Sequence, residues 1–199
     1  MFWLALIIAY LLGSISPAYI LGRLIKKKDI RTLGTKNAGA TNVFQQIGKA
    51  AGIFTCIFDM AKGIAAFWIA YLLMQSYGFS MFWVFLSGFA AIAGHNWPFY
   101  MQFRGGRGVA TAYGLLFLSF GWLMASLELN AWIFAVLLVA TLFIRFLSKK
   151  PSVTFFIFAP IFTGLIIFYA GLVDWTWFIL LLMLYILVMA VITFIERGT

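Results

Sequence analysis

The chain has 199 residues, of which 65% are apolar and 10% charged, and its 14 Lys and Arg against 5 Asp and Glu leave a net charge of +9. Globular proteins run at roughly 45–50% apolar and 25% charged, so this composition excludes a soluble domain. The length is too great for a single anchor and too small for most repeat-built transporters, which points to one compact membrane bundle.

Seven apolar segments, each near the roughly 20 residues that cross a bilayer, can be drawn in chain order. The first, residues 2–24, has no basic leader region and no small-residue cleavage site, so it reads as a retained helix rather than a signal peptide. Gly13, Ser14, Ser16 and Pro17 lie in its inner half, where small residues let helices approach closely. A polar stretch, 25–49, carries Lys26, Lys27, Lys28, Arg31 and Lys36. The second segment is 51–73 and the third 81–100. A short basic loop, 102–108, leads to the fourth, 109–127. The fifth is 130–146, and Pro151 closes the basic turn after it. The sixth is 152–170 and the seventh 175–195. The fold class expected is an all-α integral membrane protein, one polytopic domain over residues 1–199. The single cysteine, Cys56, cannot form an internal disulfide and reads as a small packing residue.

The basic residues gather in or near the loops after the first, third, fifth and seventh segments. The opposite loops carry Glu128, Asp174 or no charge. The positive-inside rule then places the N-terminus outside and the C-terminus in the cytoplasm.

The cytoplasmic loops also hold clustered glycines. In DIRTLGTKNAGATN, Asp29 to Asn42, Gly34 and Gly39 permit turns whose successive N–H groups form anion-binding concavities. Thr35, Asn37, Thr41 and Asn42 add uncharged donors, and Arg31 and Lys36 add charge. In GHNWPFYMQFRGGRGVAT, Gly94 to Thr111, the run Arg104-Gly105-Gly106-Arg107-Gly108 stands directly before a helix. Such a run offers amides and the positive helix end to an anion, and arginines match phosphate bidentately. The pattern GxxxxGK[ST] is absent, so nucleotide binding is not supported. His95 is the only histidine, with no thiolate cluster nearby, so no metal site is expected. Asp59 and Lys62, three residues apart on one helix face, suit an ion pair that supports the site. No GxSxG elbow is present. Chemistry here would rest on positioning and electrostatics, with a substrate that is already activated.

The segments GSISPAYILGRL, DIRTLGTKNAGATN, DMAKG and GHNWPFYMQFRGGRGVAT, in this order and spacing, resemble the PlsY-type acyl-phosphate:glycerol-3-phosphate acyltransferases of bacteria. The resemblance covers about the first 110 residues well. It implies a seven-helix inner-membrane enzyme with a cytoplasm-facing site. The reaction it implies is acyl transfer from acyl phosphate to glycerol 3-phosphate, giving lysophosphatidic acid, with no cofactor and no nucleic-acid partner. By position, Thr35 stands where the family usually has a serine, beside Asn37 in a phosphate-binding loop. Arg104 and Arg107 stand where lysines are usual, and Ser152 resembles the serine of a third motif. Asp59, Lys62 and His95 match directly. Thr35, His95 and Ser152 are thus the catalytic candidates. Gln45 replaces a common arginine, and the family's C-terminal His and Asn segment is not recognisable in 192–199. A paralogue with another acceptor, or a carrier or flippase for a phosphorylated lipid, are the alternatives.

The charge pattern makes one prediction by itself. Single cysteines introduced near Lys27 or Gly106 should react with impermeant reagents only from the cytoplasmic side; labelling only from outside would invert the topology.

Overall fold

A proline behind a serine decides how the first apolar segment folds. Pro17 has no N–H to donate back along a helix, and Ser16 adopts an extended backbone whose side chain accepts the Tyr19 N–H. This is a helix start with a serine cap and proline at the first position. The segment therefore folds as α1 (Phe2–Ser14) and α2 (Pro17–Ile25) rather than as the single helix expected over 2–24.

The structure, a computed structural model, describes residues 1–126 and 174–198, and every element among them is helical. After α2 come a 3-10 turn (Ile30–Thr32), α3 (Ala40–Gln46), α4 (Lys49–Met74), a second turn (Gln75–Tyr77) and α5 (Met81–Asn96). A third turn (Phe99–Met101), α6 (Val109–Ser126) and α7 (Asp174–Gly198) complete the described part. The stretch 25–49, expected as a polar loop, contains α3. The third helix, expected to reach residue 100, stops at Asn96 because Pro98 cannot continue it and disfavours helical backbone at Trp97. The segments expected at 130–146 and 152–170, with Ser152, lie outside the described residues. By length and composition, Phe2–Ile25 taken across its break and Lys49–Tyr77 can each cross a membrane.

The chain divides into two compact units, Met1–Leu115 and Leu116–Thr199. In the second, α7 buries Ile179, Leu182, Met183 and Ile186. Their helical spacing makes one apolar face.

In the first unit, α1 packs on both α4 and α5. Small residues set the approach: Ala9, Ala66 and Ala91 form a buried cluster. A Cβ on Gly13 would strike the Ala91 carbonyl, and one on Gly94 would strike the Tyr10 carbonyl. The expected close-packing role of Gly13 is met from α5. Nearer the loops, Ala18, Ile30, Ala38, Val43 and Met101 make a second buried cluster. It seats the first loop on α2 and on the Phe99–Met101 turn. Gly94→Ala should cost about 1–3 kcal/mol through overpacking and lower the unfolding temperature in detergent. Gly121→Ala, where an added Cβ meets nothing within 4 Å, should not. Equal melting of the two variants would remove the close-approach argument.

Candidate functional site

The first loop is shaped from within by one amide. Asn42 is fully buried on α3. Its Nδ2 donates to the carbonyls of Ile30 at 2.8 Å, Leu33 at 3.0 Å and Asn37 at 2.9 Å, and its Oδ1 accepts the Thr35 N–H at 3.0 Å. Three acceptors share two N–H bonds, so the side chain has no donor left for a phosphate. Asn42, expected to bind phosphate, is bonded within the first loop and shapes it from inside. Gly34 has a positive φ of 49°, and a Cβ there would lie 2.5 Å from Asn42 Oδ1. Lys36 holds a φ of 56° at the exposed tip. Thr35 and Thr41 are exposed, Asn37 is half-buried, and Gly39 starts α3.

A second device ties this loop to the glycine loop. Arg31 Nε and Nη2 bind the Asp29 carboxylate at 2.7–3.1 Å, while Nη1 donates to the carbonyls of Met101 at 2.7 Å and Arg104 at 2.8 Å. Arg31, expected to add charge for an anion, is instead a staple between loops. Its hydrogen bonds hold the Asp29 carboxyl below the ordinary carboxylate range, against the opposing effect of burial. Arg23, at 3.8 Å and half exposed, adds little to Asp29.

The glycines of the second loop serve close approach. Gly105 N–H donates to the Asn96 carbonyl at 2.8 Å and Gly106 N–H to the His95 carbonyl at 3.0 Å, closing the end of α5. These two amides, expected to meet an anion, are bonded to the protein backbone here. A Cβ on Gly105 would strike the His95 carbonyl. One on Gly106 would strike the His95 ring and lie 2.7 Å from the Ala38 carbonyl. Gly106 is thus the point where the two loops meet, beside His95. Gly108, with φ of 66°, turns the chain into α6, whose first N–H groups form the positive helix end. Arg104 is exposed and Arg107 half-buried ahead of it.

Beneath the loops lies a buried charged cluster. Asp59 and Lys62 come from adjacent turns of α4, and His95 from the last turn of α5. Lys62 Nζ is 2.8 Å from Asp59 Oδ1, and the two side chains are 3% and 2% exposed. The same ammonium donates to the Ile15 carbonyl at 2.9 Å and lies 2.8 Å from His95 Nδ1. Ile15 is the residue at which helix 1 breaks, so the break supplies an acceptor to a buried cation. Tyr100 serves the same break: its hydroxyl donates to the Ser14 carbonyl at 2.8 Å and accepts the Ser16 N–H at 3.1 Å. Sequence reasoning missed Tyr100 and the Ile15 carbonyl. The Ser16-Pro17 pair was the available signal for the break, but nothing along the chain marks which side chains would reach it. Among the described residues no group of three His, Cys, Asp or Glu is gathered as a metal site would need.

The Asp29 staple carries a pH signature. Because folding lowers the Asp29 pKa, its contribution is complete above the unfolded value of about 3.9 and is lost as pH falls through the lower folded value. Asp29→Asn should lower the unfolding temperature by a few degrees at neutral pH. The gap to the parent should close below about pH 4. A gap that persists in acid would assign the loss to something other than the carboxylate.

The family model described as glycerol-3-phosphate acyltransferase matches residues 3–197. The chain is 44% identical over 133 residues to the glycerol-3-phosphate acyltransferases of Escherichia coli O1:K1, E. coli strain K12 and Shigella boydii serotype 18. That match covers 67% of this chain and 62% of each relative, less than two thirds of their length. Two solved structures of PlsY, described as an integral membrane glycerol 3-phosphate acyltransferase, superpose with TM-scores of 0.71 for its glycerol 3-phosphate form and 0.69 for its lysophosphatidic acid form. Both are 28% identical, over 99% of this chain and 92% of theirs. With a buried Asp–Lys–His cluster under two interlocked loops and a family match along almost its whole length, the chain belongs to the glycerol-3-phosphate acyltransferase family.

Proposed function

We propose that this protein transfers an acyl group from acyl phosphate to glycerol 3-phosphate, releasing lysophosphatidic acid and phosphate at the cytoplasmic face of a bacterial inner membrane. The observation that carries this reading is the meeting of the two loops at Gly106 beside His95, flanked by Arg104 and Arg107. PlsY, solved in glycerol 3-phosphate and lysophosphatidic acid forms, supports the same acceptor and product here. The full topology proposed is one polytopic domain of seven spans, N-terminus outside.

The chemistry is a single displacement. The acceptor hydroxyl oxygen attacks the acyl carbonyl carbon, a new ester bond forms, and the bond from that carbon to the phosphate oxygen breaks. The hydroxyl proton passes to a phosphate oxygen, so no cofactor is required. Arg104, Arg107 and the first turn of α6 stabilise the charge on the leaving phosphate. Thr35 and Asn37, on a loop already folded by Asn42, orient the reactants with little ordering cost. Ser152, outside the described residues, is assigned to the same orienting role. Thr41 and Gln45 line an open groove of about 250 Å³ between α3 and α4 with Phe44, Ile53 and Cys56. A polar lip beside apolar walls suits a substrate that is part phosphate and part lipid.

The carrier alternative expects broken helices near the membrane midplane, paired between repeats. Helix 1 is broken, but its break is closed by Tyr100 and Lys62, which suits a fixed scaffold better than a moving gate.

Purified protein with palmitoyl phosphate and labelled glycerol 3-phosphate should yield labelled lysophosphatidic acid. Arg104→Ala should lower kcat/KM on acyl phosphate about 10–100-fold, the scale of a lost charged hydrogen bond. Folding should survive, because the side chain is exposed. Absence of product from well-folded protein, with phosphorylated lipid moving across vesicles instead, would replace this reading with the carrier.

A further inference from the structure

A protonated lysine has hydrogens to give and no lone pair to offer. That fact constrains His95. Its Nδ1 lies 2.8 Å from Lys62 Nζ but 3.4 Å from Asp59 Oδ1. The nearer contact is the hydrogen bond, and it requires Nδ1 to be the acceptor. The alternative arrangement, Nδ1–H donating to the carboxylate, would set a hydrogen against the ammonium. The rest of the cluster agrees. Lys62 has an aligned hydrogen bond to the Ile15 carbonyl at 2.9 Å, whereas Asp59 Oδ1 has no aligned donor despite its 2.8 Å approach to Nζ. Asp59 Oδ1, 2.8 Å from Nζ, is the counter-charge of Lys62, while the contacts to Ile15 and His95 take two of its three N–H donors.

The geometry points to Lys62 as the positioning residue that holds neutral His95 in the tautomer with its proton on Nε2, so that this edge donates a hydrogen bond to a substrate phosphate oxygen rather than accepting the acceptor's proton. The Nε2 edge faces Gly106, at the contact between the glycine loop and Ala38 of the first loop. A side chain on Gly106 would fill that approach. The assignment rests on the acyl-transfer reading only for the ligand, a phosphate oxygen that either substrate can supply. The tautomer itself is independent of turnover.

The chain contains one histidine, so a ring-¹⁵N-histidine label reports a single site. The protein, carried on a tag without histidine, is placed in lipid bilayers at neutral pH. The spectrum should show an unprotonated nitrogen coupled to the Nδ1 position and a protonated one at Nε2. The reverse pattern in the parent protein overturns the proposal, whatever any variant does. Lys62→Met leaves Asp59 as the polar neighbour of Nδ1 and should exchange the two assignments. A folded variant that keeps the parent pattern would show that Lys62 does not set the tautomer. Added glycerol 3-phosphate should move the Nε2 resonance if the acceptor supplies the oxygen, and inorganic phosphate alone should move it if the leaving group does. Movement with neither overturns the donor role. Product formation in the separate acyl-transfer assay then tells whether the functional reading failed with it or stands without it.

Discussion

The structure depends on the need of one buried ammonium for acceptors. Lys62 sits in a helix long and apolar enough to cross a membrane, where an uncompensated charge is costly. It is satisfied by a carboxylate one turn away, a carbonyl freed by a broken helix and an imidazole from a third helix. Removing one member of such a group typically costs about 3–5 kcal/mol, because the others stay buried without partners. The cluster is therefore also a lock: α1, α4 and α5 must all be in place before its charges balance. The break in helix 1 belongs to the same account. Carbonyls inside a helix are already bonded along it, whereas the interruption at Ile15–Ser16, with Pro17 beyond it, turns the Ile15 carbonyl to Lys62.

Above the cluster the loops are held by groups whose donors are bonded within the protein. Asn42 organises the first loop from inside, and Arg31 fastens it to the backbone at Met101 and Arg104. The strained backbone at Lys36, Gln102 and Phe103, all with positive φ, is tolerable because those bonds over-determine it. A site that works by electrostatics benefits from this arrangement. Donors fixed in advance need no reorganisation as charge develops on a phosphate. The glycines contribute mainly by absence of bulk. Gly105 and Gly106 let the loop lie against the end of α5, and their amides close that helix. Arg104 stays exposed at the loop surface, ahead of the α6 terminus.

How much of this was legible along the chain differs by kind of evidence. The helical class, the positions of α4, α6 and α7 to within a few residues, and the pairing of Asp59 with Lys62 follow from apolar run lengths and helical spacing. These are local properties, set by period and by the cost of charge in lipid. The family resemblance rested on four motifs in order, and the match along residues 3–197 extends it over nearly the whole chain. The end of α5 was misplaced because an apolar run through Tyr100 hides the stop imposed by Pro98. The break in helix 1 is not legible because a small-residue cluster suits close packing as well as a cap, and here it does both.

The assignment of work among polar residues was not legible, because it is a matter of who reaches whom. Arg31 and Arg104 look alike in sequence, yet one is bonded on every guanidinium nitrogen and the other is exposed at the loop surface. Asn37 and Asn42 lie five residues apart, yet one faces the rim and the other is sealed beneath it. His95 and Lys62 are 33 residues apart, and their 2.8 Å contact exists only because α4 and α5 pack side by side on α1. Composition and spacing determined the membrane class and the charged pair, and the resemblance of four motifs pointed to the family. Tertiary structure decided which polar groups are committed to holding the loops together, because hydrogen-bond capacity is spent between residues distant in sequence and only packing brings them within reach.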